Sequence, residues 1–381
     1  MVAGENPRPK LKYWLIRVLF TEVIMELNSE CPATCQNAQA TPSRRLAHLA
    51  QGGFVLLAVG LMVFLHDRSL VRTLSITFIS IVLEALPFML LGTLIGGMIE
   101  AFVPRDRLAA LLPKRRVITV LVGAGLGVIF PTCECAIVPV VRSLLRKGVP
   151  LGASVAYLLG GPIVNPLVAA STAVAYSFSW SVVIIRLLCG YAIAVAVGFW
   201  MDFRFRNQHD ALVPDAANHT DGNHCCHGHD HHDHNDDASG FNTFRTKLAF
   251  AVHRAADEFF DIGRFMIIGA FLAALLQTLV ARQTFVAAIG GAPALSVVLM
   301  MALAVSLNLC SEADAFVAAS FRATVVPLSA QMAFMVLGPM LDIKLLLMYL
   351  PVFRRRAIIT LAGATILLVF VSMVIMGVIR K

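Results

Sequence analysis

Charge is what this sequence has least of. Of 381 residues only 14% are Asp, Glu, Lys or Arg, while 58% are hydrophobic. Soluble domains carry roughly a quarter charged residues, and no core of this chain length absorbs so much apolar surface. A soluble fold is excluded, and an integral membrane protein is expected. Enzyme signatures are missing as well: there is no Walker loop, no Gly-x-Gly-x-x-Gly leading from strand to helix, and no His-Glu-x-x-His. Without a nucleotide site, any transport is expected to draw on an ion gradient. Eight cysteines are present, several inside apolar stretches, but they form no evenly spaced frame of the kind that staples secreted domains. A clean signal peptide is also lacking. The stretch Leu11–Leu27 carries Arg17, Glu22 and Glu26 and makes a poor export core despite Ala-Gln-Ala at 38–40, so it reads as an interfacial amphipathic helix. Cys31 and Cys35 follow it with no visible partner.

What the chain does have is a succession of apolar stretches long enough to cross a hydrocarbon layer of roughly 30 Å. They recur near 49–66, 74–103, 149–176, 180–201, 249–280, 325–350 and 356–379. Two more, 117–146 and 294–323, are each interrupted in the middle. The net charge of +8 sits between apolar segments, where it orients a membrane protein and gives no reason to expect a nucleic-acid partner.

A shift of 177 residues superimposes the chain on itself without gaps. Cys133 falls on Cys310, Ala136 on Ala313, Ser143 on Ser320, Gly161-Pro162 on Gly338-Pro339, and Glu84 on Asp261. One shift that holds for cysteine, Gly-Pro and an acidic residue points to duplication. The expected organisation is an N-terminal amphipathic segment (1–48), an extra transmembrane helix (49–67), a first repeat (70–202), a His-rich linker (203–246) and a second repeat (247–381).

Arg105, Arg107, Lys114, Arg115 and Arg116 precede the first interrupted segment, and Arg142, Arg146 and Lys147 end it. Both its ends therefore favour the cytoplasm, which predicts a re-entrant hairpin with Pro131–Cys135 at its tip. The matching ends in the second half carry only Arg282 and Arg322, so that hairpin is expected to open outward. The fold class expected is an all-α polytopic membrane protein built from two inverted halves, the architecture in which secondary transporters place a substrate near the midplane. The 203–246 linker and residues 351–356 are expected on the cytoplasmic side of the cell (inner) membrane.

Two tips meeting from opposite sides would bring Thr132, Cys133, Glu134 and Cys135 near Asn308, Cys310, Ser311, Glu312 and Asp314. Thiolates are soft ligands for Cu(I), zinc or metalloids, and carboxylates nearby take the protons that thiols release. The plainer alternative is that cysteine packs as a small hydrophobe. Gly160-Gly161-Pro162 with Asn165, and Gly338-Pro339 with Asp342, break helices at matched positions and either free carbonyls for a ligand or mark plain kinks. Glu84 and Asp261 are proton-coupling candidates because an ionisable group at membrane depth is costly. For Asp261 the alternative is a pair with Arg264 three residues on. Arg186 reads as a bundle-facing structural ion pair. The tract His209–Asp237 holds eight of eleven histidines. His219, His224, Cys225, Cys226, His227, His229, His231, His232 and His234 there are the expected ligands of a divalent metal, the one possible cofactor; none is required.

The stretches "FPTCECAIVPVVRSLLRKGVPLGASVAYLLGGPIVNP" (130–166) and "NLCSEADAFVAASF" (308–321) resemble the YraQ permease family, related to the ArsP organoarsenical efflux permeases. The likeness covers most of 70–380 and implies a cell-membrane permease in which Cys133, Cys135 and Cys310 would hold a trivalent arsenical. The expected activity is ion-coupled export of a soft metal ion or metalloid. The alternatives are a zinc, cobalt or nickel transporter served by the linker, a sulfur-compound permease, and a membrane thiol sensor that moves nothing.

Overall fold

The computed structural model describes residues 68–104, 113, 115–205, 211–213, 240–279, 293–323 and 326–379. The expected helix at 49–67, the 1–48 segment and the metal-binding candidates of the linker lie outside these residues. The helices are α1 (Arg68–Phe102), α2 (Arg116–Gly125), α3 (Glu134–Arg146), α4 (Leu151–Gly160), α5 (Pro166–Ala175), α6 (Trp180–Arg204), α7 (Gly240–Leu279), α8 (Pro293–Leu307), α9 (Ala313–Ser320), α10 (Leu328–Met340), α11 (Ile343–Met348) and α12 (Arg355–Ile379). Helix α7 begins at Gly240, inside the expected 203–246 linker. The protein is an all-helical polytopic membrane protein. Among the described residues, five spans are long and apolar enough to cross a bilayer: Leu70–Phe102, Trp180–Arg204, Arg245–Thr278, Leu328–Met348 and Arg355–Ile379.

The 177-residue shift carries over to the elements. Added to the starts of α2, α4 and α5 at 116, 151 and 166, it gives 293, 328 and 343, the starts of α8, α10 and α11. The breaks have local causes. Asn165 and Asp342, 177 apart, cap α5 and α11 by accepting from the Leu167 and Leu345 amides at 2.9 and 2.6 Å. Pro166 then occupies the first helical position of α5, where a missing N–H costs nothing. The two interrupted segments also restart alike. The Cys133 carbonyl accepts from Ala136 and Ile137, and the Cys310 carbonyl from Ala313 and Asp314.

The two legs of the first interrupted segment are held by different neighbours: α2 packs on α4 and α6, and α3 on α1 and α4. The Leu328–Met348 span is 83% buried against 28% for α1 and α12, so α10 is central and those two face outward. Exposed apolar side chains such as Leu83, Phe203 and Ile359 are what a lipid-facing surface requires. Arg142 and Arg146, read from the sequence as marks of a cytoplasmic end, make ion pairs with Glu258, Asp261 and Glu100. The start of the linker is tied down: Val213 N donates to Val352 O and Arg354 N to Ala211 O. These bonds hold 211–213 against 352–354.

Close approach of α4 and α6 depends on glycine. A Cβ on Gly198 would sit 2.7 Å from the Gly152 carbonyl oxygen, and one on Gly152 would sit 2.9 Å from Gly198 O. Small residues at such crossings allow backbones to pack where lipid supplies no hydrophobic drive. Gly198→Val is therefore expected to destabilise the fold by about 1–3 kcal/mol through overpacking, read as a lowered melting temperature in detergent.

Candidate functional site

A cavity of about 440 Å³ lies where the breaks meet, within the range of small-ligand sites. Its walls bring together Ile81, Glu84, Ala85 and Phe88 of α1 with Cys133, Glu134 and Cys135 at the start of α3. Leu167 of α5, Asn308, Cys310 and Glu312 before α9, and Lys344 of α11 complete the lining. Six of the expected residues thus share one cavity with Glu84. Cys133 and Cys135 are side-chain neighbours, Cys310 stands beside Glu84, and Cys135 beside Lys344. The thiols of Cys133, Cys135 and Cys310 are all free.

The remaining candidates surround this cavity without lining it. Asp342 is 1% exposed and binds the Leu345 amide. With its NH2 turned toward Asp342, the Asn308 amide donates to Oδ1 at 3.2 Å. Asn308 reaches that position through a left-handed backbone, φ 50°, which asparagine tolerates better than most residues. Asn165 serves as a helix cap. Thr132 shares a 3.3 Å hydrogen bond with the Tyr157 hydroxyl. Asp314 is 1% exposed, and its Oδ2 has no hydrogen-bond partner. A Cβ added at Gly338 would meet that same oxygen at 2.7 Å, so α10 passes directly over it.

Arg186 faces the bundle as expected, but its partners are not carboxylates. It donates to Thr172 Oγ1 at 2.7 Å and to the Ser311 carbonyl at 2.9 Å, with Asp314 as a neighbouring charge. One guanidinium so ties α6 and α5 to the tip that carries Cys310 and Glu312.

The matched carboxylates Glu84 and Asp261 have different surroundings. Glu84 lines the cavity. Asp261 is paired with Arg142 at 3.4 Å and with Arg264 at 3.6 Å, the second being the i+3 contact its position allows. Around it runs a wider ion cluster. Arg142 reaches Glu258 at 3.9 Å, Arg146 reaches Glu100 at 3.6 Å and Glu258 at 3.9 Å, and Arg254 reaches Glu100 at 3.0 Å.

Lys344 is the site residue that sequence reasoning missed. It is 3% exposed, and its Nζ lies 3.6 Å from Glu134 Oε1 and 4.0 Å from Asp342 Oδ2. A lysine within an apolar segment is itself a signal of function. Its mate at the 177 shift is Leu167, so the repeat comparison passes over it. Glu258, opposite Ile81, was passed over for the same reason.

Residues 70–381 match the protein family described as "Predicted permease" (ArsP_1). The chain belongs to that permease family. It is 41% identical over 296 residues to UPF0718 protein YcgR of Bacillus subtilis, covering 78% of this chain and 94% of the relative. It is 36% identical over 320 residues to a Streptococcus mutans protein named as a two-component membrane permease complex subunit, covering 84% and 99%. A shorter match, 28% over 107 residues, is to UPF0718 protein YraQ of Escherichia coli, covering 28% of this chain and 30% of that one. No solved structure matches the chain. As a permease it is a transporter by description, and the family resemblance drawn from 130–166 and 308–321 is shown by these matches.

Proposed function

We propose that this permease exports a soft metal ion or metalloid, which binds the Cys133, Cys135 and Cys310 thiols in the 440 Å³ cavity and whose movement is coupled to an ion gradient. The observation that carries the reading is the composition of that cavity: three free thiols and three carboxylates, Glu84, Glu134 and Glu312, against the one ammonium of Lys344. Soft sulfur donors choose thiophilic cargo, and excess acid favours a cation or a species that gives up protons as it binds. Half-helix N-termini favour anions in some transporters. Here Glu134 and Asp314 already occupy the first turns of α3 and α9, and Asp342 caps α11, which answers those dipoles from within. Glu84 and Asp261 are the proposed proton-coupling pair.

Among the described residues, no group of three or more His, Cys, Asp or Glu side chains is close enough to hold a metal ion in this conformation. Cargo binding therefore requires the donors to converge. The His-rich linker, on the cytoplasmic side of the inner membrane in this reading, is a loading or buffering element for divalent metal.

The test is retention of zinc, cobalt, nickel, copper, arsenite and methylarsenite, read by mass spectrometry in cells expressing the wild type, Cys133→Ser with Cys310→Ser, or a deletion of His209–Asp237. One species should be depleted by the wild type and retained with the cysteine variant. Equal retention for every species, with both proteins in the membrane, would refute the reading. Undiminished export by the deletion variant would refute the loading role alone.

A further inference from the structure

The two long helices do not pack on their surroundings as the duplication would have them. Helix α1 packs along α3, and α7 along α11. The 177 shift turns those contacts into α7 on α9 and α1 on α5. Among the described residues, neither of these mate pairs has more than glancing contact. Elsewhere the halves obey the shift: α2·α4 and α8·α10, α4·α6 and α10·α12, and α3·α11 and α9·α5 all occur as matched pairs. The largest departure from symmetry lies in α1 and α7, which pack on each other.

Two glycines mark it at atomic detail. A Cβ on Gly92 of α1 would strike the Ala136 carbonyl oxygen of α3, and one on Gly269 of α7 would meet the Lys344 Cα of α11 at 2.7 Å. Gly92 and Gly269 are mates, yet Ala136 and Lys344 are not; their mates are Ala313 on α9 and Leu167 on α5. The cavity lies where the mate contact is missing, with Glu84 and Phe88 of α1 on one wall and Leu167 and Glu312 on the other. The opposite face, where α7 meets α3, is shut by Ser143 Oγ at 3.4 Å from Glu258 and by the Arg142, Glu258 and Asp261 ion pairs.

From this geometry we infer a second access face to the same cysteine site, now closed, on the α7 side. The α1/α7 pair rocks between the α3/α11 pair, its present seat, and the α9/α5 pair. Applying the shift to the lining residues identifies the second face. Glu258, Asp261 and Phe265 replace Ile81, Glu84 and Phe88, while Cys133, Cys135, Cys310, Glu312, Leu167 and Lys344 map onto one another and belong to both states. The thiols stay at the centre while the acidic wall alternates between Glu84 and Asp261. The ion cluster has no counterpart across the repeat, because Arg142 and Arg146 correspond to Ala319 and Ala323. It fastens the present seat. The inference rests on the permease reading, since a fixed site with alternating entrances is what a duplicated transporter requires.

Cross-linking of the whole protein in native membranes tests it. Ile81→Cys with Ser320→Cys are the mates of Glu258 and Ser143, so their disulfide forms only in the second seat. Ser143→Cys with Glu258→Cys reports the first. The expected result, read by peptide mass spectrometry to separate it from pairing with native cysteines, is that both disulfides form in separate samples. Asp261→Asn, by loosening Arg142, should raise the Ile81→Cys/Ser320→Cys yield at least twofold. Phe88→Cys with Leu167→Cys, apart across the present cavity and the mates of Phe265 and Lys344, provides a second pair whose direct disulfide forms only when α1 seats on α5. Absence of both second-seat links in correctly assembled protein would overturn the inference. If they form while no cargo is found in the retention test, the assigned cargo fails and the two seats stand.

Discussion

Lys344→Met is expected to destabilise the protein by about 3–5 kcal/mol, the usual result of removing one partner from a buried ion pair. The reason is what stays behind. Glu134 is 1% exposed, and its Oε2 already lacks a hydrogen-bond partner; Asp342 is equally buried. Lys344 is the ammonium that stands between them, at 3.6 and 4.0 Å. Its loss leaves two carboxylates facing each other in low dielectric, where an isolated charge is prohibitively costly. The double variant Lys344→Met, Glu134→Gln removes one of the two orphaned charges, leaving Asp342 with its Leu345 amide bond, and should recover part of the stability without recovering transport. Melting in detergent together with flux separates the two effects. If the double variant melts as low as the single, the pair is not the source of the loss.

Arg186 supports the second tip in the same way, and Arg186→Met should likewise cost about 3–5 kcal/mol by leaving Asp314 without its neighbouring cation. Arg186→Lys tests the geometry rather than the charge. A guanidinium fork spans Thr172 Oγ1 and the Ser311 carbonyl at once, and a single ammonium does not. The lysine variant is therefore expected to lose about 1–3 kcal/mol, the cost of one buried partner left unsatisfied. Arg186→Met with Asp314→Asn should regain stability over Arg186→Met alone. Full stability of Arg186→Lys would show that only the charge matters there.

Much of this architecture was legible because helix breaks have chemical causes that survive duplication. Proline, paired glycines and the Asn165/Asp342 caps recur at one offset, and so do the elements they delimit. Cys133, Glu134, Cys135, Cys310 and Glu312 could be gathered from that offset alone, since matched breaks at one depth leave few places to meet. What stayed hidden was asymmetric. Lys344 opposes a leucine, Glu258 an isoleucine and Arg142 an alanine, so a comparison seeking likeness ignored them. Arg142 and Arg146 were read as topology signals because charge pattern does not reveal that carboxylates on α1 and α7 will reach them. Nor does periodicity tell on which neighbour α1 and α7 will rest, because Gly92 and Gly269 are matched while the residues they rest on, Ala136 and Lys344, are not. The inverted relation of the halves belongs with these proposals; labelling of single cysteines at 110 and 287 from opposite faces of the membrane would support it.

The central claim is that the cavity thiols carry cargo, and reconstituted flux tests it most directly. Purified protein in liposomes under a proton gradient should move the species singled out by the cellular screen, and Cys133→Ser with Cys310→Ser should abolish that flux while keeping the wild-type melting temperature. Equal flux by the wild type and the cysteine variant would contradict the account and remove the thiols from the transport path.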